Sequence, residues 1–355
     1  MDKFKIDSHK LIYHVGRVND WLEGKLIYPI YMEISPSGIC NHRCTFCGLD
    51  FMEYQNRQLD AGILKERLSE MGSLGLKSVM YAGEGEPFLH RQMVEIIGHT
   101  KKSGIDAALT TNGVLMKESV SEKILGDVEW IKVSINAGTS ETYAKIHRTK
   151  PADFDRVIKN MAAAARIKRE AGHRCALGMQ LILLPENKDE VVTLAKTARD
   201  IGMDYLVIKP YSQHLLSKTR KYEGVKYKDS LHLADELKKV GDDNFRVIFR
   251  ARAMLKWDEG MRNYKRCLAL PFWSYLDAGG NVWGCSVYLG DERFLYGNIY
   301  ESTFREIWEG ERRKKSIEWA EKKLNPARCR VNCRMDEINR YLWELKNPPE
   351  HVNFI

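Results

Sequence analysis

Apolar positions along the chain switch repeatedly between a period of two and a period of about 3.6, the signatures of strand and helix. PIYMEIS (29–35) alternates, with Ile30, Met32 and Ile34 on one side and Tyr31, Glu33 and Ser35 on the other. Leu64, Leu68 and Met71 then recur at helical spacing, and KSVMYAG follows as a short apolar strand. The same exchange continues through Met93, Ile96 and Ile97 (helix), IDAALTTNG (strand) and WIKVSIN (strand). It goes on through the stripe Phe154, Val157, Ile158 and Met161, the strand ALGMQLILL, the stripe Val191, Leu194, Ala195, Ala198 and Ile201, and the strand DYLVIKP. Repeated strand–helix units predict an α/β fold with a parallel sheet covered by helices.

The polar positions refine this picture. Strands buried on both faces read as continuous apolar runs. Here Lys132, Ser134 and Asn136 share one side of their strand, opposite Ile131, Val133 and Ile135. Ala108, Thr110 and Asn112 repeat the arrangement, and Lys209 ends its strand on the face of Val207. A polar inner face predicts a wide barrel with an incompletely filled lumen. The reading divides the chain into a polar lead-in (1–28), a barrel (29–211), a linker with a helix and a strand (212–260) and a C-terminal α+β unit (261–355). Within that last unit FWSYLDAGGNVWGC reads as a hairpin with a Gly-Gly turn.

Composition adds limits. With 355 residues, 44% hydrophobic and 29% charged, the chain is of ordinary globular make-up. No apolar run reaches membrane-spanning length, and the N-terminus lacks a signal-peptide pattern, so a cytoplasmic location is expected. The net charge is +8. Its clearest basic run, Glu311 to Lys315, reads as a solvated helix face, or else as a docking patch for an acidic electron donor. Nucleic acid is an unlikely partner, because no basic patch is interleaved with aromatics.

The eight cysteines are grouped. Cys40, Cys44 and Cys47 stand within CNHRCTFC, at the C-terminal end of the first predicted strand. Cys267, Cys285, Cys329 and Cys333 form a second group, and Cys175 stands alone as an expected core residue. Three thiolates so close suit a compact iron–sulfur cluster with one iron left open. A zinc site is the competing reading, though zinc ligands usually come as two matching pairs. The CX3CX2C spacing, with Phe46 before the last cysteine, resembles the cluster motif of the radical S-adenosylmethionine (SAM) superfamily. AGEGEPF, one strand later, is similar to that superfamily's glycine–glutamate–proline motif.

The resemblance implies a partial (β/α)6 barrel carrying a SAM-binding [4Fe–4S] cluster. It implies SAM contacts from Gly83, Glu84, Gly85 and Glu86, with Ser134 and Asn136 at the ribose and Arg148 at the methionyl carboxylate. Phe46, Asn112 and Gln180 are further candidate contacts. Cys267, separated by twelve residues from Gly280, which four residues separate from Cys285, and then YGNIY and CRVNC, resemble the auxiliary-cluster region of SPASM and twitch proteins. Four cysteines rather than seven imply a shortened, twitch-like domain with one fully ligated auxiliary [4Fe–4S] cluster; a structural zinc site is the alternative.

The implied activity is reductive cleavage of SAM to a 5′-deoxyadenosyl radical, which takes hydrogen from a substrate. A polyhydroxylated small molecule is expected: a sugar, nucleoside or aminocyclitol. Oxidation is favoured over a redox-neutral epimerisation, dehydration or decarboxylation. Tyr31, Glu33, Lys209 and Arg250 are the candidate substrate-orienting residues in the lumen, with a flavodoxin or ferredoxin-type protein as reductant. A ribosomal-peptide maturase and a non-enzymatic iron–sulfur or zinc scaffold are the alternatives. The short lead-in and the missing second auxiliary cluster count against the maturase.

Overall fold

The computed structural model describes residues 4–6, 8–260 and 262–354. The start of the expected lead-in and the expected boundary at residue 261 lie outside them. Seven strands run parallel in sequence order: β1 (Tyr31–Ile34), β2 (Ser78–Tyr81), β3 (Asp106–Thr111), β4 (Val128–Ser134), β5 (Ala176–Ile182), β6 (Tyr205–Lys209) and β7 (Arg246–Phe249). The sheet does not close on itself. On the free side of β1 the C-terminal segment adds β8 (Trp273–Leu276), in parallel register with Tyr31 opposite Trp273. Antiparallel β9 (Asn281–Trp283) and β10 (Leu295–Asn298) follow. The result is a partial barrel whose sheet continues without a break into the C-terminal unit. The strand expected in the linker is β7, and it pairs in parallel with β6.

The helical stripes lie where the spacing put them. Leu64, Leu68 and Met71 of α2 (Ala61–Ser73, after α1 at Val15–Leu22) are fully buried, each stabilising the fold by roughly 1.5–3 kcal/mol. Asp60 caps α2 by accepting from the Ile63 amide. The stripes of α3 (Met93–Lys102), α6 (Ala152–Glu170) and α7 (Val191–Asp200) join the same cluster; α4 (Glu118–Ile124) and α5 (Ser140–His147) complete the layer. Their partners are the outward residues of the strands, among them Met32, Val79, Ile131, Met179 and Ile208. The inner face is therefore left to the polar alternates. Cys175 is buried in this core, as expected.

The linker carries α8 (Leu233–Lys238), and α9 (Ala251–Glu259) follows β7 after one residue. The C-terminal unit adds α10 (Phe304–Glu309), α11 (Glu311–Lys323) and α12 (Asp336–Lys346). A second core, with Trp273, Trp283, Phe294 and Leu324, surrounds the four C-terminal cysteines. The β8–β9 turn is fixed by Asp277, whose carboxylate accepts from Gly279, Asn281 and the Trp283 indole. Gly280 in that turn has φ +85°, and a Cβ there would meet the Tyr300 ring at 2.6 Å. No helix is long and apolar enough to cross a membrane among the described residues.

Candidate active site

Chain direction puts the cysteine loop at the C-terminal rim of the strands, where β/α barrels gather their reactive groups. The loop is clasped from two sides. Arg43 and Thr45 donate their amides to the carbonyls of His147 and Ile146 at the end of α5. From the linker, the Ser217 hydroxyl donates to the Cys47 carbonyl at 3.1 Å, and the amides of Lys218 and Thr219 donate to Asp50. The polar stretch after β6, which shows no function in the sequence, is thus a brace for the cluster loop.

Cys40, Cys44 and Cys47 line one end of a cavity of about 360 Å³, together with Phe46. Burial pushes all three thiols up, Cys40 to about 12 with nearby Glu86 adding to the effect. Desolvated thiols held together in this way suit an electropositive guest that takes them as thiolates. Behind them His147 sets Nδ1 3.1 Å from the Cys44 sulfur, and its Nε2 faces the Ile135 carbonyl at 3.0 Å. His42, Cys44 and His147 bring their donor atoms within 4.8 Å of one another, but both His147 nitrogens are already engaged. The histidine therefore acts as a support for the loop. Phe46 meets its ring edge-on at 5.4 Å.

The glycine-rich turn forms the adjoining wall. Gly83, Gly85 and Glu86 line the cavity. A Cβ on Gly85 would lie 2.1 Å from the Ile39 carbonyl, and one on Gly83, whose φ is +123°, would strike Ser35 at 2.6 Å. The turn thus passes close against the cysteine loop, and only glycine permits it. Glu86 accepts from Thr111 Oγ1 (2.5 Å) and the Asn112 amide (2.8 Å), and burial raises its pKa. Asn112, Ser134, Gln180, Glu33, Lys209 and Arg250 complete the expected lining.

Four expected contacts lie elsewhere. Glu84 turns away from the cavity to pair with Arg57 at 2.7 Å and to accept from the Ala278 amide at 3.0 Å; it ties the turn to the β8–β9 hairpin. Asn136, at φ +52°, spends its Oδ1 on the Ile182 amide and so holds the end of β5. Arg148 is the left-handed cap of α5, and that geometry sends it to a separate groove with Arg43, Asp50 and Lys218 on the outer side of the loop. Tyr31 is on the expected inner face but one pleat below Glu33, in a separate hollow with Val79 and Ala107. Period two gives the face of a residue but not its depth along the barrel axis.

Sequence reasoning missed Arg330 and Arg334. Both line the cavity, with Arg334 3.2 Å from Glu33. Each directly follows a cysteine of CRVNCR, and that repeat was the available signal. Cys267, Cys285, Cys329 and Cys333 converge on a small pocket walled by Leu270, Val287, Tyr288, Phe294 and Leu324. Burial raises the pKa of all four thiols, Cys267 to about 12. Four sulfurs in an apolar shell fit a fully ligated cluster. Cys333 also lines a second cavity, which shares Glu33, Gln180, Lys209 and Arg250 with the first. Of the second group, Cys333 therefore faces the polar space that adjoins the cysteine loop.

Comparison with known proteins agrees with this arrangement. Residues 34–198 match the radical SAM superfamily and residues 267–334 an iron–sulfur cluster-binding (SPASM) domain. GTP 3′,8-cyclase of Chlorobaculum tepidum is 26% identical over 198 residues, covering 55% of this chain and 58% of the relative. A probable GTP 3′,8-cyclase of Saccharolobus islandicus is 29% identical over 174 residues, covering 49% and 54%. The chain thus spans little more than half the length of these curated relatives. Among solved structures, Streptococcus suis SuiB bound to S-adenosylmethionine superposes with a TM-score of 0.64 at 18% identity, covering 84% of this chain and 70% of SuiB. Native anSMEcpe with bound AdoMet gives 0.57 at 19%, covering 82% and 84%. The cysteine loop at the strand ends, the glycine turn beside it, the four-cysteine pocket and these matches lead to one conclusion: the chain belongs to the radical SAM superfamily and carries a SPASM-type iron–sulfur domain at its C-terminal end.

Proposed function

We propose that this chain is an enzyme that uses SAM reductively to take a hydrogen atom from a polyhydroxylated small molecule, and that the net reaction is an oxidation. In this reading Cys40, Cys44 and Cys47 hold the SAM-binding [4Fe–4S] cluster, and Cys267, Cys285, Cys329 and Cys333 hold an auxiliary one. When bound, these groups supply homolytic cleavage of the C5′–S bond of SAM and a nearby electron acceptor.

The protein's own residues do the rest. Gly83 and Gly85 let the amino-acid end of SAM approach the backbone. Ser134 and Gln180 offer hydrogen bonds to hydroxyl groups. Glu33 is the carboxylate placed to take the proton that a hydroxyl must lose on oxidation. The observation that carries the reading is the polar space lined by Cys40, Cys44 and Cys47 and, in its adjoining part, by Cys333 of the second group. The relatives named GTP 3′,8-cyclase carry a nucleotide in their name, which keeps nucleosides within the expected class. A flavodoxin or ferredoxin-type protein is the proposed reductant.

The test is anaerobic reconstitution followed by reduction in the presence of SAM. Formation of 5′-deoxyadenosine, its loss in Cys40→Ala, and transfer of deuterium into it from a labelled sugar or nucleoside are the expected results. Protein that takes up zinc and no iron, or that forms no 5′-deoxyadenosine, overturns the proposal.

A further inference from the structure

We infer that Tyr288 raises the reduction potential of the auxiliary cluster by donating its hydroxyl hydrogen bond to the Cys329 sulfur; this rests on the reading that Cys267, Cys285, Cys329 and Cys333 hold that cluster. The hydroxyl oxygen lies 3.0 Å from Cys329 Sγ. A thiolate that ligates iron has no proton to give, so the phenol is the donor in this pair. Tyr288 also lines the four-cysteine pocket with its ring.

Each of the four sulfurs has a donor facing it. The Val287 amide is 3.4 Å from Cys285 Sγ, the Met335 amide 3.4 Å from Cys333 Sγ, and Asn339 Nδ2 3.7 Å from Cys267 Sγ. The two amides each stand two residues after their own cysteine and come with the local turn. Asn339 has a second task, because its Oδ1 accepts from the amides of Leu268 and Ala269 at 2.6 and 3.0 Å. Tyr288 differs from all three. It is 41 residues from Cys329 in sequence, and among the described residues its hydroxyl has no other hydrogen-bond partner. Its place is fixed by the fold. The short 3-10 turn Ser286–Tyr288 starts directly after Cys285, whose carbonyl accepts from the Tyr288 amide at 3.2 Å. The ring stacks on buried Phe294 at 4.4 Å, and Phe294 in turn meets Trp319 edge-on at 5.8 Å.

Reduction adds one negative charge to an iron–sulfur cluster, and the cysteine sulfurs carry part of it. A donor aimed at a sulfur therefore binds the reduced form more strongly, and the potential rises. The shell of Leu270, Val287, Phe294 and Leu324 keeps the local dielectric low, which strengthens the effect. The ring of Tyr288 serves packing and its hydroxyl serves the potential. A raised potential suits the role assigned above, in which the auxiliary cluster takes the electron that a substrate radical must lose on oxidation.

The test is a potentiometric titration of the reconstituted protein followed by electron paramagnetic resonance. The signal that SAM perturbs belongs to the first cluster, and the signal that SAM leaves alone belongs to the auxiliary one. In Tyr288→Phe the ratio of reduced to oxidised auxiliary cluster at a fixed potential is expected to fall about tenfold, a midpoint lower by about 59 mV for one electron. The midpoint of the SAM-perturbed signal should stay where it is. If Tyr288→Phe fails to load both clusters, 3-fluorotyrosine placed at position 288 alone decides: its more acidic phenol is a stronger donor and should raise the auxiliary midpoint. An unchanged or higher midpoint in loaded Tyr288→Phe, or an unchanged or lower one with 3-fluorotyrosine, overturns the inference and leaves the ligand set standing. Unaltered protein that shows the SAM-perturbed signal alone overturns the ligand set and this inference with it.

Discussion

At the scale of single residues, the chemistry that could be read from sequence is the chemistry whose ligands are close in sequence. Cys40, Cys44 and Cys47 are legible because three donors within one loop have few other uses. Arg330 and Arg334 are not, because an exposed arginine and a lumen arginine look alike until the fold brings β1 and β6 beside them. Arg148 failed as a cavity residue for a local reason: as the left-handed cap of α5 it is turned outward. His214 shows what else sequence leaves out. It is fully buried, stacks on Phe51 at 4.8 Å, faces the Ser286 carbonyl with Nε2 at 3.0 Å and accepts the Leu216 amide at Nδ1 at 3.1 Å. Burial lowers its pKa to about 4. The unfolded chain, at the ordinary value of 6.5, therefore binds the proton first. Stability from this neutral imidazole is complete above that value and is lost as pH falls from there toward 4. Between pH 7.5 and 5.5 the loss is expected to be about 1 kcal/mol larger in the parent than in His214→Gln. Denaturant unfolding of both at the two pH values measures it, and equal losses would reject the assignment.

At the scale of elements, strand and helix types were legible because one face of every strand meets apolar helices. The outward residues of β1 to β6 have little freedom, and their alternation is plain. Depth along the barrel is a different matter. Tyr31 and Glu33 share a face, yet a single pleat separates a hollow below the site from the site itself. The meeting of two loops is equally hidden in sequence. Gly85 passes the carbonyls of Ser37 and Ile39 at distances that admit no Cβ, while the Glu86 amide donates to Ile39 at 2.8 Å. The glycine turn and the cysteine loop are therefore one unit. Gly85→Ala must push them apart, because the atoms it meets are backbone. A cost of about 1–3 kcal/mol is expected, read as a SAM dissociation constant about tenfold or more higher in equilibrium dialysis of the reconstituted protein. Gly224→Ala, where a Cβ meets nothing within 4 Å, is the control and should bind SAM as the parent does. Equal affinity in both variants would show that the turn does not shape the SAM site.

At the scale of the whole molecule, the C-terminal unit is part of the sheet as well as a cluster carrier. Strand β8 pairs with β1 along its full length, and Glu84 reaches from the glycine turn to Arg57 and to the amide after Asp277. The cysteine loop thus has the brace of the linker on one side and strand pairing beneath it. The four-cysteine pocket, by contrast, sits in its own apolar core outside the barrel helices. This separation predicts that the two clusters load independently. Reconstituted parent protein should hold about eight iron atoms and the double variant Cys329→Ser/Cys333→Ser about four, with SAM still bound. The variant should also melt earlier, since the pocket then encloses hydroxyls where its shell is apolar. Iron analysis, SAM binding and thermal unfolding on the same preparation read all three effects. Loss of all iron would mean that the two sites assemble together, and an unchanged iron content would remove these cysteines from the ligand set.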